Sequence, residues 1–137
     1  MPQNIYDDPT FFAAYDRMRT HGIALAGALE EPAIRSLLPD VTGMSVLDLG
    51  CGTGVMSRWL IESGADQVTG VDVSELMLAK ASEHQDSRIR YIHKDAESLE
   101  FPEGSFDLVV SSLMFHYIDD LQPVLSSIRR WLKPGGQ

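Results

Sequence analysis

The sequence predicts an α/β domain of the doubly wound kind, a parallel sheet with helices on both faces. Three observations predict it. Residues 46–54, Val-Leu-Asp-Leu-Gly-Cys-Gly-Thr-Gly, run an apolar strand carrying one carboxylate, Asp48, into three alternating glycines, Gly50, Gly52 and Gly54. A helical pattern of Val55, Met56, Trp59, Leu60 and Ile61 starts directly behind the turn. Further short apolar runs then alternate with helical stretches, as βα units do. Such a turn accepts a ligand because no Cβ blocks its approach to the backbone.

Before this unit, Asp8-Pro9 reads as a helix start, with Asp8 as N-cap and Pro9 at the first helical position. Phe11, Tyr15 and Met18 then fall at i, i+4 and i+7 and give an apolar stripe, with Tyr6 and Phe12 adding aromatic surface. This helix is either plain packing or a lid that keeps water from a ligand on the turn. Gly22 to Ala28 reads as a break, and a second short helix is expected from Glu31-Pro32 to Leu38-Pro39, burying Ile34, Leu37 and Leu38. Residues 1–43 are thus expected as an N-terminal helical lid and residues 44–137 as the ligand-binding part.

Beyond the turn, Gly64 suits a helix C-terminus. Gln67 to Val73 reads as a second strand with Asp72 at its carboxyl end, about 18 residues past Gly54. A carboxylate there can accept both hydroxyls of a ribose. Ser74 caps a helix whose inner face is Met77, Leu78 and Ala81. Arg90 to Lys94 is a third strand followed by Asp95-Ala96, and Phe106 to Ser112 is a fourth whose apolar centre suits burial on both faces. Asp107 serves a structural turn. Asp119 or Asp120 caps a last helix with Val124, Leu125, Ile128, Trp131 and Leu132 as its stripe, stopped by Lys-Pro-Gly-Gly.

Composition narrows the partners. A net charge of -9 over 137 residues argues against non-specific nucleic-acid binding, which needs clustered Lys and Arg. One cysteine, Cys51, makes no internal disulfide, and the N-terminus has no signal-peptide pattern, so a cytoplasmic location is expected. No run of about 18 apolar residues occurs, so no membrane span is expected. His21, His84 and His93 lack metal-ligand spacing with acids or Cys51, and no metal is expected. Cys51 reads as a small filler of the turn rather than a nucleophile.

The third glycine of a dinucleotide fingerprint would stand at position 55, where this chain has Val55. The G-x-G-x-G after a strand carrying Asp48 instead resembles the first motif of class I S-adenosylmethionine-dependent methyltransferases. Val71-Asp72-Val73-Ser74 with Met77-Leu78, Asp95-Ala96, and Phe106-Asp107-Leu108-Val109 before the Leu-Lys-Pro-Gly-Gly close agree with that family in order. The segment from Tyr6 to Arg19 is similar, more loosely, to bacterial small-molecule methyltransferases of the ubiquinone/menaquinone-biosynthesis type. The resemblance implies a Rossmann-like sheet with strands ordered 3-2-1-4 in this chain. The family's sheet has three more strands beyond these, so the chain is expected to be a fragment whose fourth strand is an open edge. A second copy pairing there, as a homodimer, is the alternative.

The resemblance also implies site roles. The cofactor is S-adenosyl-L-methionine, with S-adenosyl-L-homocysteine as product. Gly50, Cys51, Gly52 and Gly54 carry its methionine part, Asp48 orients its ammonium, and Asp72 with Val73 holds the ribose. Asp95 and Ala96 take the adenine, against which Met77 could pack, and Ser111 or Ser112 offers a carbonyl to the amino-acid end. His116 is the candidate base, because an imidazole titrates near neutrality; a packing or shape role is the competing reading. Ser-Leu-Met-Phe-His-Tyr after the fourth strand is not the Asn/Asp-Pro-Pro-Tyr/Phe common to amide and nucleobase enzymes, which leaves a small-molecule acceptor. A cofactor-binding or partner-binding subunit without activity, and a nicotinamide-dependent oxidoreductase, are the other readings.

Overall fold

The structure, a computed structural model, describes residues 4–20, 31–112 and 114–137. Among them four strands, β1 (Ser45–Leu49), β2 (Gln67–Asp72), β3 (Ile89–His93) and β4 (Leu108–Ser111), form one parallel sheet in the order β3-β2-β1-β4. The expected doubly wound α/β sheet and its order are what the chain adopts. Five α-helices accompany it: α1 (Pro9–Thr20), α2 (Glu31–Leu37), α3 (Val55–Glu62), α4 (Glu75–Ser82) and α5 (Leu121–Trp131). The anticipated break at Gly22 to Ala28 lies outside the described residues.

β1 is interior, pairing Val46 with Val68 and with Leu108, and Leu49 with Val71 and with Ser111. Alternation along it sorts the core into two layers. Val46 points into a cluster with Leu60 and Ile61 of α3, Val68, Leu108 and Val110, against which Ile34 and Leu38 also pack. Leu47 and Leu49 point into a second cluster with Val71, Leu99, Phe106, and Val124 and Trp131 of α5. There Phe101 meets Phe106 and Trp131 edge-on at 5.0 and 5.1 Å, a favoured ring geometry. Burying a side chain such as Leu60 completely is worth roughly 2 kcal/mol.

Caps set the helix starts. Asp8 accepts Phe11 N–H at 2.9 Å, Ser74 accepts Met77 N–H at 3.2 Å, and Asp120 accepts Gln122 N–H at 3.2 Å. Of the two expected caps for the last helix, Asp120 is the one used. Asp107 plays its structural part: its Oδ2 accepts Ser45 N–H at 2.9 Å and Lys133 Nζ at 3.2 Å, tying the starts of β1 and β4 to the closing turn.

Several expectations need correction. Leu37 ends α2 with 82% of its surface exposed, and Leu125 is 42% exposed, because each helix buries a face narrower than its apolar stripe. On α3 the exposed Val55 gives way to Ser57 as a buried position. β2 stops at Asp72 and β3 runs from Ile89 to His93, each offset by one residue from the pattern. β4 begins at Leu108, since Phe106 instead bridges to Leu132. The outer edge of β4 is not wholly open: Gln137 N–H donates to Asp107 O at 3.1 Å and Val109 N–H to Gln137 O at 2.8 Å.

Candidate functional site

The carboxyl ends of β1 and β2 form a cavity of about 270 Å³, close to the lower limit of roughly 300–1,000 Å³ for small-molecule sites. Its floor is the glycine turn. Gly50 N–H and Cys51 N–H both donate to Val71 O, at 2.8 and 2.9 Å, so the turn is stapled to the end of β2. Gly50 and Gly52 have φ of 81° and 54°, a left-handed conformation that side-chain-bearing residues adopt at a cost. A Cβ on Gly50 would lie 2.7 Å from Met114 Cγ, whereas one on Gly52 would meet nothing nearer than Met77 Sδ at 4.0 Å. The Gly52 backbone therefore stands open to a ligand.

Asp72 forms the wall beside that floor. Its Oδ2 accepts Gly52 N–H at 2.8 Å and its Oδ1 accepts Ser74 N–H at 2.9 Å, which fixes the carboxylate between the turn and α4. Burial pushes its carboxyl above the ordinary range, against the pull of those N–H donors. Val73 and Met77 continue the wall, and Lys94, Asp95, Ala96 and Glu97 form the next side. Asp95 Oδ1 accepts Ser98 N–H at 2.9 Å, so the residue caps a turn of 3-10 helix (Ala96–Ser98) while lining the cavity.

Asp48 reaches the cavity from below, at 3% exposure, with its Oδ2 accepting Ser57 Oγ–H at 2.7 Å. Burial drives its carboxyl up to about 6, opposed by the Ser57 hydrogen bond and helped by the charge of Asp72. Cys51 is buried, and burial pushes its thiol well above the ordinary range, which suits a filler and not a thiolate. Among the described residues no group of acids, histidines and cysteine is arranged to hold a metal, and no helix is long and apolar enough to cross a membrane.

The roof is built from the N-terminal segment and the turn that follows β4. Tyr6, in a 3-10 turn (Ile5–Asp7), and Tyr15 and Met18 of α1 face His116, Tyr117 and Ile118 across the cavity. Tyr6 and Tyr117 share a hydroxyl hydrogen bond of 2.7 Å, and the Tyr6 ring meets Phe11, Tyr15 and Tyr117 edge-on at 5.4, 5.3 and 6.0 Å. His116 is exposed, with its ring 4.0 Å from that of Tyr117.

Asp48, Gly50, Cys51, Gly52, Asp72, Val73, Met77, Asp95, Ala96 and His116 thus all line one cavity. Gly54 and Ser111 do not. Gly54 has φ of 81° and starts α3 where a Cβ would overlap the Tyr91 hydroxyl, so its demand is structural. Ser111 Oγ–H donates to Leu49 O at 3.0 Å, joining β4 to β1, and Ser112 is the residue that reaches the cavity. Sequence reasoning missed Ser57, although a carboxylate inside a buried strand requires a donor and the first turn of the next helix is the nearest source. It also missed Tyr117, Lys94 and Glu97, for which no local pattern exists.

The comparisons agree with this geometry. A family model described as a methyltransferase domain matches residues 46–136. The chain is 38% identical over 104 residues to a malonyl-[acyl-carrier protein] O-methyltransferase of Enterobacter lignolyticus, covering 76% of this chain and 41% of that protein. It is 41% identical over 104 residues to a demethylmenaquinone methyltransferase of Lactococcus lactis, covering 72% and 41%. The crystal structure of an S-adenosylmethionine-dependent methyltransferase from Mesorhizobium loti superposes with a TM-score of 0.77 at 45% identity, over 82% of this chain and 52% of that one. The chain spans about half or less of the length of these relatives. With the motif order, the sheet order and these likenesses in agreement, the chain belongs to the S-adenosylmethionine-dependent methyltransferase family.

Proposed function

We propose that this chain carries the cofactor-binding half of a methyltransferase that uses S-adenosylmethionine to methylate a small molecule. The observation that carries the reading is Asp72, held by Gly52 and Ser74 at the cavity wall beside an unobstructed glycine backbone. The charge of the cavity supports the same cofactor. Asp48, Asp72, Asp95 and Glu97 line it against one lysine, Lys94. That excess suits a ligand cationic at its sulfonium and ammonium and opposes the pyrophosphate of a nicotinamide dinucleotide.

When bound, the cofactor supplies an electrophilic methyl group on a good leaving group. What remains for the protein is alignment and the exclusion of water. The Gly50–Gly52 backbone would hold the methionine portion, and the buried carboxylate of Asp48 would favour its ammonium. Asp72 would accept the ribose hydroxyls with the lone pairs that Gly52 and Ser74 leave unused. Asp95 and the N–H of Ala96 would hold the adenine, against which Met77 would pack. Tyr6, Tyr15, Met18 and Tyr117 close the acceptor side with apolar and aromatic surface, and His116 at its rim takes a proton from the acceptor. Relatives are named for malonyl-[acyl-carrier protein] and for demethylmenaquinone, two different acceptors, so neither is carried over.

Binding tests the reading without requiring turnover. S-adenosylhomocysteine at about 100 times its Kd should stabilise the chain by about 2.7 kcal/mol, and NAD should not. Asp72→Ala is expected to weaken that binding by roughly 100-fold, as loss of hydrogen bonds to a charged group does. An unchanged affinity in Asp72→Ala would overturn the proposal.

A further inference from the structure

We infer that Asp7 is a positioning residue for Asp72, acting through Ser74, so that the N-terminal segment sets the geometry of the ribose carboxylate. The inference rests on the reading of Asp72 above. Ser74 is fully buried and faces two ways. Its N–H holds Asp72 Oδ1 at 2.9 Å, and its hydroxyl donates to Asp7 Oδ1 at 2.6 Å while accepting Met77 N–H at 3.2 Å. Asp7 Oδ1 also accepts Leu76 N–H at 3.2 Å. The carboxylate of Asp7 therefore sits where the first turn of α4 leaves its N–H groups unpaired, and it immobilises the residue that grips Asp72.

Asn4 completes the clamp. Its amide nitrogen donates to Asp7 Oδ2 at 2.6 Å and to Val73 O at 3.1 Å, using both hydrogens. This orientation leaves Asn4 Oδ1 buried without a partner, so the two donated bonds decide which way the amide faces. His93 Nε2 approaches Val73 O from β3 at 2.9 Å. The peptide between Val73 and Ser74 is thus held from the N-terminal segment and from β3, immediately after Asp72. Ser74 takes the Met77 N–H and Asp7 the Leu76 N–H, so the two share the first turn of α4. The same Asp7 oxygen, 67 residues away in sequence, also holds the Ser74 hydroxyl, and that second bond keeps the Ser74 N–H aimed at Asp72.

A double-mutant cycle separates this role from simple tethering of the lid. The Kd of S-adenosylhomocysteine is measured by calorimetry for the parent chain, Asp7→Ala, Asp72→Ala and the double variant. Asp7→Ala is expected to weaken binding roughly tenfold with Asp72 present and less than about twofold in Asp72→Ala. Amide exchange in the ligand-free chain gives an independent reading: Asp7→Ala should speed exchange at Ser74 by roughly tenfold and leave Gly50 and Cys51 unchanged, since those bond to Val71 O. Asp7→Asn, which keeps an acceptor for the Ser74 hydroxyl, should restore most of the protection and guards against a folding defect. Equal losses in both backgrounds, or unaltered exchange at Ser74, would overturn the inference while leaving the reading of Asp72 intact. A parent chain that does not bind S-adenosylhomocysteine, or Asp72→Ala binding like the parent, would overturn both.

Discussion

The floor and the roof of the cavity are held together by different means. The floor is local: Gly50, Cys51 and Gly52 bond to Val71 and Asp72, which end the neighbouring strand, and two of these glycines sit in conformations that only glycine adopts freely. The roof is assembled from distant chain. Tyr6 bonds to Tyr117 across 111 positions, and Asp7 reaches Ser74 across 67. Their carboxylates respond oppositely to their surroundings. Burial raises Asp48 in the floor. Burial also acts to raise Asp7 in the roof, but hydrogen bonds from Ser74, Leu76 and Asn4 and the charge of His93 outweigh it and hold Asp7 below its ordinary range. A floor fixed by backbone geometry should fail abruptly when altered, and a roof fixed by side chains should loosen by degrees.

Gly50→Ala attacks the floor where it is least tolerant. The substitution combines a left-handed φ of 81° with a Cβ placed 2.7 Å from Met114 Cγ. Backbone strain and overpacking together should cost roughly 3–5 kcal/mol in urea unfolding. S-adenosylhomocysteine binding should disappear. Stability within about 0.5 kcal/mol of the parent would mean that the turn is softer than its bonding indicates.

The same contrast explains what was legible in the sequence. Strand, glycine turn, strand-end acid and Ser74 cap were readable because each is a short-range demand: a positive φ requires glycine, and an orphan N–H requires an oxygen. Asp48, Asp72 and Asp95 could be read as carboxylates at or near strand ends, and parallel pairing then brings them to one end of the sheet. The roof was readable as an aromatic helix, either packing or a lid, and as His116 beyond the fourth strand, but not as the contacts that join the two. Nothing in Asn4 through Asp7 signals that it will clasp the β2–α4 turn, because the partners come together only after the sheet forms. The apolar stripes misled at Leu37 and Leu125 for a related reason. A periodic pattern gives the buried face of a helix, but the neighbours decide how wide that face is.

Asp48→Asn probes the electrostatics of the floor and fixes a sign. Because folding raises the Asp48 carboxyl to about 6, the folded chain binds more protons than the unfolded one between the ordinary carboxylate value and about 6. The contribution of Asp48 to stability is therefore full below that window and is lost as pH rises through it. Asn keeps an acceptor for the Ser57 hydroxyl and removes the charge. At pH 8 it should stabilise the ligand-free chain by roughly 2–3 kcal/mol, while at pH 4 the two chains should match closely. Asp7 runs the other way, its contribution present at neutral pH and lost as pH falls through its lowered value. A stability gain from Asp48→Asn that is the same at pH 4 and pH 8 would remove burial of the charge as its cause.

Tyr6→Phe is the mildest test and concerns the roof alone. The change deletes one hydroxyl and keeps the ring that meets Phe11, Tyr15 and Tyr117 edge-on. Burial and the Tyr117 hydroxyl push the Tyr6 phenol above its ordinary range, so Tyr6 keeps its proton through pH 9. The net worth of the bond is about 1 kcal/mol. If the roof restrains a ligand on the floor, that loss should appear as release of S-adenosylhomocysteine roughly fivefold faster, with the association rate little changed. Stopped-flow displacement measures both rates. An unaltered release rate alongside the expected loss of stability would mean that the aromatic segment packs on the domain without gating the cavity. The floor and the wall beside it would then be the whole of the binding site.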